Sequence, residues 1–208
     1  MSCVVSPESL RERRRRQTSF DIHNAALRLA RQRGVDKVTV EEISVEAGVS
    51  PRTFFNYFPS KESAIAYAPL EIPADLAADF VAAGPAPHSV LLGDVIRLTI
   101  RNVAENTPSR EEMADVFAVG HSSAAVASAL LSQFDQFQER LAGLIAERAG
   151  MQPGDEVPTL IAALALAVMR TGMVGWASAA PKDGDDTPVA HLQRAAALVQ
   201  SFFTDATD

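Results

Sequence analysis

Residues 47–62, "AGVSPRTFFNYFPSKE", decide how the first part of this chain folds. Gly48 suits the left-handed residue that ends a helix, because glycine has no Cβ. Ser50 can cap the next helix, and Pro51 suits its first position, where a missing N–H does no harm. Pro59 then limits the length of that helix. The stretch therefore predicts a tight turn followed by a short helix that starts at Pro51 and stops before Pro59.

Two further helices are predicted upstream of this turn. Residues 21–34, "DIHNAALRLARQRG", have apolar side chains at helical spacing and end on a glycine. Thr39 and Glu42 form a T-x-x-E capping box for a second helix, which Gly48 ends. Two short helices joined by a tight turn, with a helix before them, predict a helix-turn-helix DNA-binding unit.

The aromatic residues of the third helix divide by their spacing. Phe54 and Phe58 lie four positions apart and share a face, so we expect them to pack in the core. Phe55 projects about 100° away from Phe54, toward the DNA-facing side or the edge of that side. The core partners expected for the two buried rings are Ile22, Leu29, Ile43 and Val49.

Residues 39–65, "TVEEISVEAGVSPRTFFNYFPSKESAI", resemble the DNA-binding module of the TetR family of bacterial transcriptional regulators. The resemblance covers about residues 17–66. It implies an all-α fold, with a three-helix N-terminal helix-turn-helix domain and a C-terminal ligand-binding and dimerisation domain of about six helices. The matching residues are Ala47, Gly48, Val49, Ser50, Thr53, Phe55, Tyr57, Phe58, Lys61 and Glu62.

The outer positions of the third helix are candidates for DNA contact. Arg52 can hydrogen-bond to the edge of guanine, and Asn56 to the edge of adenine. Thr53 can hydrogen-bond to a phosphate or contact a thymine methyl group. Tyr57 resembles the family's contact to a backbone phosphate. The family usually has tyrosine where this chain has Phe55, so Phe55 keeps an apolar wedge and lacks the hydroxyl. The predicted DNA-binding residues are Arg13, Arg14, Arg15, Arg16, Thr39, Ser50, Arg52, Thr53, Phe55, Asn56, Tyr57 and Lys61.

Three of these residues lie at helix N-termini, where backbone N–H groups attract phosphate. They are Thr39, Ser50 and Lys61. Taken alone, Thr39 and Ser50 are better explained as helix caps, and Arg52 and Lys61 as solvated charges. The complete module favours DNA contact for Arg52, Tyr57 and Lys61.

The charge of the chain is unevenly distributed. Residues 1–61 carry 11 Lys and Arg against 7 Asp and Glu, a balance of +4, whereas residues 62–208 carry 8 against 19, a balance of −11. Any binding of a polyanion is therefore predicted in the first part. We predict a disordered basic arm over residues 1–16, whose arginines contact DNA. The alternative is a solvated tail.

Beyond about Ser63 the pattern is helical throughout, and no strand-like alternation interrupts it. We place the DNA-binding domain at residues 17–62 and the ligand-binding and dimerisation domain at residues 63–208. The family resemblance implies nine helices in all. The six predicted for the second domain run from about Ser63 to Ala83, Ser89 to Asn106, Ser109 to Gly120, Ser122 to Ala149, Pro158 to Ala180 and Pro188 to Thr204.

Composition argues against several other classes of protein. The single cysteine, Cys3, cannot form an internal disulfide, which fits the cytoplasm. The four histidines show no metal-ligand spacing, so neither a metal nor a cofactor is predicted. The apolar stretch from Thr159 contains Arg170, so a buried helix is predicted there, not a membrane span. The sequence offers no catalytic constellation, although triads can assemble from distant positions.

An effector pocket is expected between the long helices of the second domain. Apolar and aromatic residues at helical spacing are more often plain core than pocket lining. Arg170 interrupts an apolar helix and needs an anionic partner if it is buried, either a carboxylate of this chain or an acidic ligand. The predicted ligand-binding residues are Asn102, Phe117, His121, Phe134, Phe137, Arg170, Met173 and Trp176, with Leu98, Leu141, Met169 and Gln133 as further candidates.

The function predicted from these patterns is a repressor that binds a palindromic operator and is released by a small effector. The resemblance implies a homodimer through the last two helices, which are rich in apolar residues. The wording "PRTFFNYFPSK" is similar to actinobacterial members of the family, some of them associated with acyl-CoA, which implies a lipophilic, acyl-type effector. The alternatives are an activator strengthened by its ligand, an enzyme, and a helical adaptor with a degenerate helix-turn-helix.

Overall fold

The computed structural model describes residues 10–67, 70–105, 107–180 and 186–204, without the side chains of residues 10–13 and 203–204. Every regular element within these ranges is a helix, which confirms the predicted all-α fold. A short 3-10 turn, Val35–Lys37, lies between the first two α-helices. The α-helices are α1 Leu10–Arg33, α2 Val40–Glu46, α3 Pro51–Tyr57, α4 Lys61–Ile65, α5 Ala74–Ala82, α6 His88–Glu105, α7 Arg110–Ser122, α8 Ala124–Ala149, α9 Glu156–Ser178 and α10 Pro188–Thr204.

The first helix is longer than the sequence analysis predicted. It begins at Leu10, so the arginine run forms its first turns, and the prediction of disorder is wrong for residues 10–16. Arginine, glutamate and glutamine are good helix formers, which explains the extension. The Gln17 side chain also donates a hydrogen bond to Asp21 at 2.8 Å, one turn further on. Residues 1–9 lie outside the described residues.

The predicted helix from Ser63 to Ala83 is corrected to two helices, α4 and α5. The sequence between them contains Pro69 and Pro73. Proline has no N–H to donate and its ring clashes with the preceding turn, so one continuous helix cannot cross this stretch. The described residues therefore contain ten α-helices where the family resemblance implied nine.

The chain forms two compact units. Unit 1 comprises residues 1–69 and 112–133, and unit 2 comprises residues 70–111 and 134–208. The boundary between them falls inside α7 and again inside α8. The boundary predicted from the sequence lies between residues 62 and 63, where it divides a DNA-binding domain from a ligand-binding domain. That functional boundary differs from the division into compact units, and it stays a prediction.

The core of unit 1 contains the two aromatic residues assigned to it. Phe54 is fully buried and Phe58 is nearly so, with ring centroids 6.0 Å apart. The expected partners are present in the same cluster, with Val49 only partly buried. Burying a phenylalanine side chain contributes about 1.5–3 kcal/mol. The other members include Ile22, Leu29, Val38, Ile43 and Ile65 from the helix-turn-helix region and Val116, Val119 and Val126 from residues 112–133.

His23 is a buried polar residue that links three helices of unit 1. Its Nδ1 donates a hydrogen bond to the carbonyl oxygen of Ala64, in α4, at 2.8 Å. Its Nε2 lies 3.3 Å from Oε1 of Glu112, in α7. Tyr67 packs edge-on against the imidazole ring. One side chain of α1 is therefore hydrogen-bonded to α4 and lies close to α7.

The centre of unit 2 is α9, which packs against α6 and α10. Gly172 allows a close approach to α10, because a Cβ there would lie 2.8 Å from the Cα of Leu192. By length and composition α9 could also span a membrane, but half of its most apolar window is buried inside the protein. The other half of the window is not buried, so the interpretation of this stretch as a buried helix stays a prediction.

Two arginines connect other elements of unit 2, and of these Arg148 is buried and Arg110 is half-buried. Arg148, near the end of α8, donates hydrogen bonds to the carbonyl oxygen of Gly84 at 2.8 Å and to Oδ2 of Asp94 at 2.7 Å. Its guanidinium also lies 4.7 Å from the centroid of the Phe80 ring. Arg110 pairs with the carboxylate of Asp186 at 2.7 Å in the same way. Arg148 thus connects α8 with α5 and α6. Arg110 also donates to the carbonyl oxygen of Trp176, so it connects the end of α9 with Asp186, just before α10.

Candidate nucleic-acid interface

Each short helix of unit 1 starts at a side-chain cap. The Thr39 hydroxyl accepts a hydrogen bond from the Glu42 N–H at 3.2 Å, and the Glu42 carboxylate accepts one from the Thr39 N–H at 3.0 Å. This is the predicted capping box. Ser50 accepts from the Thr53 N–H at 3.0 Å, and Gly48 ends α2 with a φ of +67°. The turn therefore has the geometry that its sequence predicts.

These caps occupy several polar groups that were candidates for DNA contact. The Thr39 hydroxyl is engaged in the capping box, and the hydroxyls of Ser50 and Thr53 lie 2.8 Å apart in a hydrogen bond with each other. The structure thus places all three as caps or cap partners. Contacts from them to phosphate stay a prediction.

The second residue of the capping box has an altered acidity. The hydrogen bond from the Thr39 backbone N–H lowers the pKa of the Glu42 carboxyl below its ordinary value, and Arg33 lowers it further. Arg33 donates to Glu42 at 2.8 Å. The first turn of α2 therefore carries a stable negative charge, as the positive end of a helix dipole favours.

The outer face of α3 carries three exposed side chains. Arg52, Phe55 and Asn56 are exposed, whereas Phe54 and Phe58 on the opposite face are buried. This is the division of the aromatic residues predicted from their spacing. A helix that is anchored on one side and carries Arg and Asn on the other can present them to base edges.

Tyr57 takes an intermediate position. It is half-buried and packs against the core of unit 1. Its ring therefore stabilises α3 whether or not its hydroxyl meets a phosphate. The phosphate contact that the family resemblance implies stays a prediction.

Lys61 has a structural role that the sequence analysis did not identify. Its Nζ donates hydrogen bonds to the carbonyl oxygens of Val35 at 2.9 Å and Val38 at 2.8 Å. These carbonyls lie in and just after the turn that joins α1 to α2. Lys61 is therefore neither a freely solvated charge nor a side chain available only to DNA. An ammonium group has three donors, and the two carbonyl oxygens take two of them. A contact of the third donor with a phosphate stays a prediction.

We expect Lys61→Met to destabilise unit 1 by about 1–3 kcal/mol, because it removes the ammonium donor from the carbonyl oxygens of two buried residues, Val35 and Val38. Methionine preserves the length of the apolar stem. The matched control is Lys37→Met, which removes the same charge from an exposed side chain in the same turn. Both Tyr57 and Tyr67 lie in unit 1, so the fluorine NMR signals of 3-fluorotyrosine report its unfolding in urea. Equal urea midpoints for the two variants would contradict this role.

The arginines of the basic run extend along the first turns of α1. The side chains of Arg14, Arg15 and Arg16 are exposed there, and Arg16 has an interaction partner. The backbone of Arg13 lies in α1, but its side chain falls outside the described residues. Exposed arginines in consecutive positions of a helix can contact phosphates of DNA.

The residues predicted to bind a ligand fall in both units. Phe117 and His121 belong to unit 1, and His121 is exposed with its Nδ1 donating to the Phe117 carbonyl oxygen at 2.6 Å. Arg170 is exposed as well, with its guanidinium 5.3 Å from the Phe134 ring, so the predicted need for an anionic partner does not arise. The buried members, all in unit 2, are Leu98, Asn102, Phe137, Leu141, Met169, Met173 and Trp176.

Comparison with known proteins identifies the same module independently. Residues 22–66 match the model of bacterial regulatory proteins of the tetR family, and residues 94–203 match the model of the MftR C-terminal domain. The chain is 31% identical over 204 residues to the HTH-type transcriptional regulator TcmR of Streptomyces glaucescens, covering 94% of this chain and 89% of that protein.

Two solved structures are also similar. One is a putative TetR-family transcriptional regulator from Syntrophomonas wolfei, with a TM-score of 0.51, 21% identity and coverage of 90% of this chain and 95% of that one. The other is the Thermus thermophilus repressor FadR in complex with lauroyl-CoA, with a TM-score of 0.47, 24% identity and coverage of 88% and 93%. The first of these agrees with the fold described above.

Proposed function

Because the chain belongs to the TetR family of bacterial transcriptional regulators, we propose that it is a repressor of a palindromic operator, released by a small lipophilic effector. The observation that carries the DNA-binding part is the exposed face of α3, where Arg52 and Asn56 project opposite a buried aromatic anchor. Such a protein acts in the cytoplasm, where the DNA is. The predicted boundary after residue 62 separates the operator-binding part from the effector-binding part.

The proposed homodimer uses the last two helices. Apolar side chains on their outer surfaces are exposed, whereas Val168 and Trp176, on the inner side of α9, are buried. A partner subunit would cover the exposed set and hold two α3 helices for successive major grooves, about 34 Å apart. The exposed apolar residues of these helices are Leu160, Val174, Leu198 and Phe202.

The effector is proposed to act on the buried apolar region of unit 2. Its members Phe137, Met169 and Met173 offer apolar and polarisable surface, which suits a lipophilic or acyl-type molecule. Release requires that the effector bind one conformation better than the other. A hundredfold loss of operator affinity corresponds to about 2.7 kcal/mol of coupling. In the alternative, the effector strengthens operator binding and the protein is an activator. The coupling free energy then has the opposite sign.

We expect Arg52→Ala to weaken binding to the preferred operator roughly tenfold or more, because a bidentate pair with guanine discriminates by about 1–3 kcal/mol. Binding to random duplex should change much less. The matched control is Arg101→Ala, which removes the same charge from an exposed side chain of unit 2. Operator affinity is measured at fixed salt by fluorescence anisotropy. If Arg52→Ala binds the operator as tightly as the parent, α3 is not the reading helix in the way proposed.

The operator itself comes from selection among random duplexes with the full-length chain. Enrichment of an inverted repeat supports the repressor proposal, and displacement of that duplex by acyl-type molecules supports the proposed effector. Failure to enrich any repeat would instead favour a helical adaptor with a degenerate helix-turn-helix. A turnover assay with the same acyl compounds tests the enzyme alternative, and we expect no turnover.

A further inference from the structure

Phe55 is the apolar residue on the outer face of α3. Its side chain is 58% exposed, whereas its neighbours Phe54 and Phe58 are 0% and 5% exposed. Single exposed apolar residues are common and need no explanation by themselves. Phe55 differs from such residues in its neighbours, because Arg52 and Asn56, the candidates for reading base edges, lie beside it on the same face of α3.

Arg52, Phe55 and Asn56 form one narrow strip on α3, beside the exposed Pro51 at its start. At about 100° per residue, Phe55 lies about 60° to one side of Arg52, and Asn56 lies about 40° to the other. The strip is therefore about 100° wide, with Arg52 between an amide and a phenyl ring. Thr53 lies outside it, half-buried, with its hydroxyl hydrogen-bonded to Ser50. Phe55 would thus enter a groove together with Arg52 and Asn56.

The ring of Phe55 also packs against a buried side chain of the same helix. It packs edge-to-face on Phe54, with centroids 5.4 Å apart and an angle of 85° between the planes. Phe54 is fully buried and therefore fixed in the core of unit 1. A side chain held in this way loses little conformational entropy when it makes a further contact.

The chemistry of a phenyl ring limits what it can recognise in a major groove. It neither donates nor accepts a conventional hydrogen bond, so it cannot read the amino, carbonyl or N7 groups of the bases. Thymine presents an apolar group there, its C5-methyl, which phenylalanine is known to contact. We propose that Phe55 contacts the C5-methyl group of a thymine in each half-site, beside the bases that Arg52 and Asn56 read. This inference rests on the proposed function of α3 as the operator-reading helix.

The test removes only that methyl group from the DNA. In the operator selected with the full-length chain, each thymine is replaced in turn by deoxyuridine, which has the same hydrogen-bonding groups. We expect one thymine per half-site at which the replacement weakens binding about fourfold, the factor that corresponds to ~0.8 kcal/mol for a buried methylene-sized group. Replacement in both half-sites should weaken binding about 16-fold, if the two contacts are independent.

A double-mutant cycle then assigns the methyl contact to its residue. In Phe55→Ala the same replacement should change affinity by less than about 1.5-fold, because the partner of the methyl group is gone. Phe55→Leu, which keeps an apolar side chain, should retain most of the sensitivity. Asn56→Ala, altered on the same face, should lose affinity and still distinguish thymine from deoxyuridine at that position.

Three results would overturn the inference. If the methyl effect persists in Phe55→Ala, another side chain reads the thymine. If Phe55→Ala weakens binding while no thymine is sensitive to its methyl group, the ring contacts the sugar-phosphate backbone instead. If selection enriches no inverted repeat, the proposed function fails and the inference fails with it. The first two results leave the proposed function intact, so the two failures are distinguishable.

Discussion

Replacing Arg148 by alanine is expected to destabilise unit 2 by about 3–5 kcal/mol, because it removes two hydrogen bonds that a buried charged group donates. Arg148 is only 5% exposed and is the shared partner of α5 and α6. Its removal leaves Oδ2 of Asp94 and the carbonyl oxygen of Gly84 without the donor that Arg148 supplies, whereas Oδ1 of Asp94 keeps its pair with Arg97. It also opens a space beside Phe80, whose ring the guanidinium covers.

The measurement is urea denaturation of the full-length chain followed by tryptophan fluorescence. Trp176 is the single tryptophan of the sequence, and it is buried in unit 2, so its emission reports this unit. With a urea dependence of about 2 kcal/mol per molar, the midpoint should fall by roughly 2 M. Protein concentration is held constant between variants, because a dimer gains stability with concentration.

Arg97 provides the matched control because it pairs with the same Asp94. Its side chain is 70% exposed, and exposed ion pairs contribute about 0–1 kcal/mol. Arg97→Ala should therefore leave the midpoint almost unchanged. Similar shifts for the two variants would mean that the burial of Arg148 does not set its contribution.

The helix-turn-helix could be predicted from the sequence because its determinants are local. Gly48 acts on its own backbone angle, and the caps at Thr39 and Ser50 each act over three residues. The division of Phe54 from Phe55 follows from helical spacing alone. The same local reasoning failed at the break between α4 and α5, where the apolar pattern continues across two prolines that interrupt the helix.

The contacts that could not be predicted join residues far apart in the sequence. Lys61 donates to a carbonyl 26 positions earlier, and Arg148 pairs with a carboxylate 54 positions earlier. His23 likewise depends on Ala64, 41 positions later. Each of these residues looks like an ordinary polar side chain until packing brings its partner close. Apolar spacing in unit 2 has the related weakness that it cannot separate core residues from the lining of an effector site.

Phe54→Ala is expected to destabilise unit 1 by about 3–5 kcal/mol, which is comparable with the effect of Arg148→Ala in unit 2. Phe54 is fully buried and packs against Phe58, which in turn contacts Tyr67. Alanine would leave a cavity beneath a helix of only seven residues, which cannot persist without tertiary support. Operator binding should be lost together with the fold of the module.

The neighbouring residue separates stability from recognition, because Phe55→Ala removes the same number of atoms from the exposed face of the same helix. We expect it to change the stability of unit 1 by at most about 1.5 kcal/mol, because Phe55 is exposed and loses only its edge-to-face contact with Phe54. The fluorine signals of Tyr57 and Tyr67 should therefore show a urea midpoint near that of the parent for Phe55→Ala and a far lower one for Phe54→Ala. Phe55→Ala should nevertheless lose the sensitivity to the thymine methyl group. If Phe55→Ala unfolds as early as Phe54→Ala, its ring belongs to the core, and its place in operator recognition has to be abandoned.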